Sequence, residues 1–325
     1  MEPCLSGVRV DTFLSRQLRN YTTWRLLRMV EAGLVTINDL PATSDHRVFS
    51  RQTVCVRLCE PPDKLLDADR QELQIIWEDP WLLVLDKPAG VVAHPVGEFQ
   101  EATLGNAVQA HLDQQTVARG LLRPGIVHRL DRMTSGLIVL TKHHLAHRRL
   151  SLDIQQGLPR KRYLAIVEGR VGFESRQIRL PIGQHPHGGS VLMSTSPDAR
   201  RPRAAATDVR VLSRHETFSL IECDLLTGRN HQIRVHMAAL GHPVLGDEFY
   251  LPHGDLRPLR APDSSPPAAP PPASRQRHAL HASFLQFQHP VLQLPLEFRS
   301  VPPEDFWDLT SDERPPSPDR VHPAD

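Results

Sequence analysis

Beyond residue 72 the chain keeps returning to one pattern: short, β-rich apolar runs at residues 81–85, 137–140, 163–167 and 218–226, set apart by glycines and prolines. Runs of this length suit buried strands, and the Gly and Pro between them punctuate turns. A helix is expected at residues 231–240, stopped by Gly241. Strand and helix do not alternate regularly, so the pattern predicts a mixed α+β domain and argues against a doubly wound parallel sheet. No window approaches the roughly 20 apolar residues of a bilayer-crossing helix, and the N-terminus carries no long apolar run. A soluble, unexported, cytoplasmic protein without a membrane partner is therefore expected.

The segment before this domain has a different texture. Phe13, Leu14 and Leu18 follow helical spacing, as do Leu26, Leu27, Val30 and Leu34, with Gly33 placed to end the second helix. Residues 35–37 read as a strand entering a turn at Asn38-Asp39, and residues 53–58 alternate as a half-buried strand does. The expected organisation is a compact unit at 1–60, a linker at 61–72 and a larger domain at 73–310. The Pro-rich stretch 251–274 cannot bury a core and is expected to be a mobile loop, and 311–325 a disordered tail.

The formal net charge of +1 conceals a local field: residues 119–170 hold eleven Lys or Arg against three Asp or Glu, a balance of +8. Residues after Ser300 hold seven acids and two arginines. A basic middle permits nucleic-acid binding without requiring it. Cys4, Cys55, Cys59 and Cys223 have neither the density of a disulfide scaffold nor zinc-ligand spacing, which fits a reducing compartment.

One string is rich in chemistry: Gly125-Ile126-Val127-His128-Arg129-Leu130-Asp131-Arg132-Met133-Thr134-Ser135-Gly136, followed by an apolar strand. It sets one carboxylate in a polar turn at the edge of a rigid element, where a reactive side chain can be presented. Alone, an aspartate there more often caps backbone. The string does not stand alone. Asp86-Lys87-Pro88-Ala89-Gly90 with His94-Pro95 precedes it, and Lys161-Arg162-Tyr163-Leu164-Ala165 follows. Further on come Thr227-Gly228-Arg229-Asn230-His231-Gln232-Ile233-Arg234-Val235-His236, Gly241-His242-Pro243-Val244-Leu245-Gly246-Asp247 and Arg277-His278-Ala279-Leu280-His281-Ala282.

In order and spacing these segments resemble the RluA family of RNA pseudouridine synthases, over roughly residues 73–300. The N-terminal unit resembles more loosely, through residues 9–14 and 33–38, the small α/β RNA-binding domain of the ribosomal-protein S4 type. Arg51-Gln52 stands where that domain has a Gly-Asp turn. The resemblance implies a pseudouridine synthase fold, a mixed and mostly antiparallel sheet with flanking helices and loops. It implies isomerisation of specific uridines in structured RNA; because the appended small domain suits a folded RNA, large-subunit ribosomal RNA is expected ahead of transfer RNA as substrate, and a monomer is expected.

Carried over residue by residue, the resemblance makes Asp131 the catalytic carboxylate, Arg234 the cation that keeps it ionised, and Tyr163 the flat pocket wall. Arg129 is implied in base flipping, with His128, Arg229 and Asn230 as RNA contacts; Asn230 replaces the usual Thr or Ser. The reaction involves no redox change and no net water, so no cofactor and no metal are expected. A Gly-rich dinucleotide or phosphate loop is not found. His128, His231, His236, His143 and His147 lack the third ligand and supporting groups of a metal site. Two other readings compete: a catalytically silent RNA-binding or ribosome-assembly factor, and a nucleoside hydrolase, which needs a poised water and often a second acid.

Overall fold

The computed structural model describes residues 6–18, 21, 23–57, 68–96, 101–115, 122–188, 191–257 and 277–310. The expected tail at 311–325, most of the linker at 61–67 and the loop residues 258–274 lie outside the described residues.

The N-terminal unit runs β1 (Val8–Arg9), α1 (Val10–Gln17), α2 (Thr23–Glu31), β2 (Val35–Ile37), β3 (Leu40–Pro41), β4 (Arg47–Val48) and β5 (Val54–Val56). Both helices turn an apolar face onto the small strands, and Val10, Leu14, Leu26, Met29, Val30, Val35, Ile37, Ala42 and Val48 form a core of their own. Gly33, at φ +71°, closes α2 in the left-handed conformation that glycine adopts without penalty. Asn38 and Asp39, at φ +50° and +67°, make the two-residue turn that joins β2 to β3. At the turn before β5 the backbone of Arg51 also goes left-handed, at φ +68°, and Gln52 accepts the Phe49 amide proton through Oε1 at 2.8 Å. An arginine therefore occupies a conformation that disfavours any Cβ-bearing residue.

The second part continues with β6 (Ile75–Glu78), β7 (Leu82–Lys87), α3 (Leu104–Gln114), β8 (Gly125–Ile126), β9 (Ser135–Thr141), α4 (His144–Gln155) and β10 (Arg160–Glu168). It then runs through β11 (Ser175–Ile178), β12 (Ile182–Gln184), β13 (Met193–Ser194), β14 (Arg200–Arg203), β15 (Thr207–Arg214), β16 (Phe218–Leu225), α5 (Gln232–Ala239), β17 (Leu280–Gln288) and β18 (Pro295–Arg299). Ten strands form one sheet in the order β11-β15-β16-β10-β17-β9-β7-β6, with β18 on β17 and β8 on β9. Every pairing in it is antiparallel except β9 with β17. The mixed, mostly antiparallel α+β architecture is as the sequence leads one to expect.

Both faces of this sheet are covered. Leu83, Leu85, Ile138 and Leu140 pack with Val108 and Leu112 of α3 and Ile233 and Met237 of α5. The alternate residues Leu82, Val84, Leu137 and Val139 pack with Ala146 and Leu150 of α4. That double burial is why the runs read as continuously apolar. Residues 251–257, the first part of the expected mobile loop, are instead pinned. Tyr250 bridges Leu256, Leu256 packs on Val235 and Ala238, and the Arg257 Nε donates to the Asp247 carbonyl at 2.9 Å.

Candidate active site

Asp131 sits in the turn between β8 and β9, and that turn is fastened at several points. The His128 Nε2 accepts the Val139 amide proton at 3.0 Å, tying the approach to the middle of β9. Thr134 and Ser135, just past the turn, hydrogen-bond to His278, just before β17, and His281, on it, at 2.8 and 2.9 Å. Lys87, fully buried at the end of β7, donates to the carbonyls of Pro88, Val91 and Arg132 at 2.7, 2.9 and 3.2 Å. Three carbonyls satisfy the three donors of its ammonium, so the backbone next to Asp131 is held from beneath.

Opposite Asp131 stands α5, which presents Arg234 with a side chain only 2% exposed. The Arg234 Nε and Nη2 grip Asp247 at 2.6 and 2.8 Å, and its Nη1 donates to Asp131 Oδ2 at 3.0 Å. Asp247 also accepts the Phe249 amide proton at 2.9 Å, and the rings of Phe249 and Tyr250 lie 5.2 and 5.3 Å from the guanidinium carbon. Two carboxylates and two aromatic rings hold this cation in one orientation.

The electrostatics follow from this enclosure. Burial alone raises the pKa of Asp131, but the facing charges of His231 and Arg234, with the hydrogen bond from Arg234, outweigh it and bring the group down to about 2. His231 is itself held down to about 4 by burial, so near neutral pH its ring is uncharged and Arg234 is the standing cation at Asp131. His231 begins α5 at φ +54°, which turns its ring so that Nδ1 meets the Tyr250 hydroxyl at 2.7 Å and Nε2 lies 4.0 Å from Asp131. Left-handed backbone at a non-glycine residue is sustained only where its surroundings fix it.

These groups line a cavity of about 540 Å³ whose walls include Asp131, Tyr163, Arg234, Arg129, Asn230 and Lys161. Tyr163 is buried on β10, and burial followed by the charge of Asp131 pushes its hydroxyl above the usual range, so it remains a neutral phenol. Arg129 is exposed at the mouth, where its Nη2 donates to the Asn230 Oδ1. The Arg229 Nε is turned to the Ala204 carbonyl at 3.0 Å. The structure thus brings all seven residues singled out from the sequence to one cavity, although His128 spends a ring nitrogen on fixing backbone.

Asp247, Tyr250, Lys87 and Lys161 belong to the same constellation and were not singled out. Three of them lie inside quoted motif strings, but nothing in spacing reveals that Asp247 reaches Arg234 across a turn, or that Lys87 is wholly buried. Burial lowers the pKa of Lys161, which sits in the cavity wall with its Nζ near Gly228.

Residues 81–239 match the family model described as RNA pseudouridylate synthase. A ribosomal large subunit pseudouridine synthase D of Neisseria meningitidis serogroup B is 35% identical over 312 residues, covering 94% of this chain and 79% of that protein. An uncharacterized RNA pseudouridine synthase of Chlorobaculum parvum is 36% identical over 307 residues, covering 92% of each. Among solved structures, human RNA pseudouridylate synthase domain containing 1 superposes with a TM-score of 0.53 at 25% identity, covering 71% of this chain and 84% of that one. The chain belongs to the RNA pseudouridine synthase family, and its mixed, mostly antiparallel sheet agrees with that structural neighbour. Among the described residues no helix is long and apolar enough to cross a membrane.

Proposed function

We propose that this enzyme isomerises specific uridines to pseudouridine in structured RNA, with large-subunit ribosomal RNA as its substrate, and that Asp131 is the catalytic carboxylate. The observation that carries the reading is the Arg234 guanidinium, fixed on Asp247 and offering Nη1 to Asp131 at 3.0 Å in the cavity wall. The ribosomal substrate is supported by the name of the Neisseria relative, and transfer RNA ranks second.

The reaction breaks the bond from the ribose C1′ to the base nitrogen N1 and makes one from C1′ to C5. The proton on C5 leaves and N1 gains one, so the atoms balance without an oxidant, a reductant or water. No cofactor and no metal is required by that balance. Each available route, covalent addition to sugar or base or proton removal at the ribose, needs an ionised oxygen on the acid. Arg234 supplies the field that keeps it so under burial. Tyr163 offers a flat face against which a detached uracil can turn. Arg129, at the mouth, fills the gap that an unstacked nucleotide leaves, and Asn230 holds it ready. The N-terminal unit, with a core separate from that of the catalytic part, serves as an RNA-binding domain of the S4 type. A ribosomal RNA substrate supports reading the enzyme as cytoplasmic.

Asp131→Asn tests the assignment, because it removes the charge and leaves the shape. Release of label from C5-tritiated uridine should fall below detection in the purified variant, while RNA affinity stays within a few fold. A variant that releases label at the wild-type rate would end the case for Asp131.

A further inference from the structure

The site described above accounts for the target nucleotide and leaves open what holds the RNA on either side of it. Between Ser175 and Ala205 the chain carries five arginines against one acid, Asp198, a balance of +4. Three of those arginines, Arg200, Arg201 and Arg203, fall on β14, and all three are exposed. None of their side chains has a hydrogen-bond or ion-pair partner among the described residues. β14 is an edge strand of the three-stranded sheet β13-β12-β14.

The strand is irregular in a way that re-aims these side chains. Ile182 pairs with Arg203 and Gln184 with Arg200, so three steps along β14 match two along β12. One extra residue is a β-bulge, and Arg201 takes it up at φ +51°, a position at which such bulges favour glycine. In an unbroken strand residues three apart point to opposite faces; here Arg200 and Arg203 are partners of residues two apart and share one face. A charged residue held in the left-handed region, where glycine is the easier choice, is an outlier that points toward function.

β14 also leads directly into the cavity wall. The Ala204 carbonyl accepts from Arg229, the Ala206 amide donates to the Thr227 Oγ1 at 3.0 Å, and the Ala206 carbonyl accepts from Gln232 at 2.9 Å. Asn230, the partner of Arg129, donates to the Val191 carbonyl in the segment before β13. The small sheet is therefore stitched to the strip of chain that forms one side of the mouth.

We propose that the bulged strand β14 is a phosphate-tracking rail, on which Arg200, Arg201 and Arg203 hold the RNA backbone flanking the target uridine. This rests on the RNA-modifying reading above and adds the surface by which the substrate is held. Exposed, unpaired guanidiniums in a row match the spaced negative charges of a nucleic-acid strand, and contacts to phosphate give position without reading sequence.

The test is filter binding of the full chain to a structured ribosomal RNA fragment across a salt series, with wild type, the triple variant Arg200→Gln, Arg201→Gln, Arg203→Gln, and Arg299→Gln on β18 as control. Each phosphate contact on single-stranded RNA contributes about 0.7 to the slope of log affinity against log salt, so the triple variant should lose about 2 from that slope. Its affinity at low salt should fall at least tenfold, and the control should match wild type. Arg201→Gly supplies a second reading with opposed signs: relief of the left-handed backbone raises the melting temperature while loss of the charge weakens RNA binding. An unchanged slope in the triple variant overturns the rail and leaves the catalytic reading standing. Wild-type protein that binds no RNA overturns both.

Discussion

Two of the nitrogen donors of Arg234 are committed to Asp247, and only Nη1 is left for Asp131. A lysine at this position carries the same charge on one nitrogen and cannot grip Asp247 with two donors while reaching Asp131. Arg234→Lys should therefore lower stability by about 3 kcal/mol, since Asp247 is buried and would lose part of its pairing. Thermal unfolding measures that loss. The pH dependence gives the complementary result. In the wild type Asp131 titrates at about 2 and His231 at about 4, so neither produces an inflection in kcat/KM between about pH 5.5 and 8. With Arg234 replaced by the uncharged Gln, the standing cation at Asp131 is lost, the Asp131 pKa rises, and activity should fall as pH drops through an acid limb that the wild type does not show. For stability the sign is that of a depressed acid: the contribution of Asp131, roughly 2 kcal/mol, is present above its unfolded value of 3.8 and disappears as pH falls through about 2. Asp131, Arg234, Tyr163 and Arg129 are legible in the sequence because each stands in a contiguous motif string. The Asp247 grip and the left-handed His231 are not legible, because both depend on how α5 meets the turn at residues 245–250 and not on local spacing.

At the level of elements, four strands announce themselves, while two helices of the catalytic part, α3 and α4, go unannounced. The runs of β7, β9, β10 and β16 are short, apolar and bounded by turns, which is sufficient to place them. α3 escapes the same reading because Asn106 and Gln109 are buried along with Leu104, Val108 and Leu112, so burial on several sides erases the amphipathic period. Thr103 caps it through the Asn106 amide, a polar start that spacing alone does not separate from a loop. Two turn and strand residues then give predictions of opposite sign. Gly136 on β9 has φ +110°, and a Cβ there would stand 2.3 Å from the Ala282 carbonyl oxygen across the parallel β9–β17 pair. The obstacle is backbone, which cannot swing aside. Gly136→Ala should cost at least about 3 kcal/mol, read as a fall in the urea midpoint at constant slope, and should disturb the Asp131 turn next to it. Arg51→Gly in the N-terminal unit removes a Cβ from a left-handed position and should stabilise by about 0.5 to 1 kcal/mol in the same measurement, after the extra entropy of the unfolded glycine is counted.

For the whole molecule, the question is whether the N-terminal unit contributes binding or fold. Its core is drawn from residues between Val10 and Val56, and the clusters of the catalytic part contain none of them. The described residues 68–73 already belong with the catalytic part: the Asp69 amide donates to the Asn106 carbonyl at 3.2 Å, and Leu73 packs on the main core. Deleting residues 1–60 therefore removes no member of the cores that pack the sheet carrying Asp131; the stacking of Tyr21 on His144 at the start of α4 is lost, and the truncated enzyme should keep its cavity. An appended module that holds RNA acts mainly on the encounter and residence of the substrate and leaves the bond exchange to the cavity. The deletion should weaken affinity for a folded ribosomal RNA fragment tenfold or more and slow single turnover at saturating RNA several-fold less than that. Measuring both on one preparation separates the alternatives. Equal losses in binding and in saturated turnover would mean that the unit props up the site, and unchanged affinity would mean that it does not bind RNA.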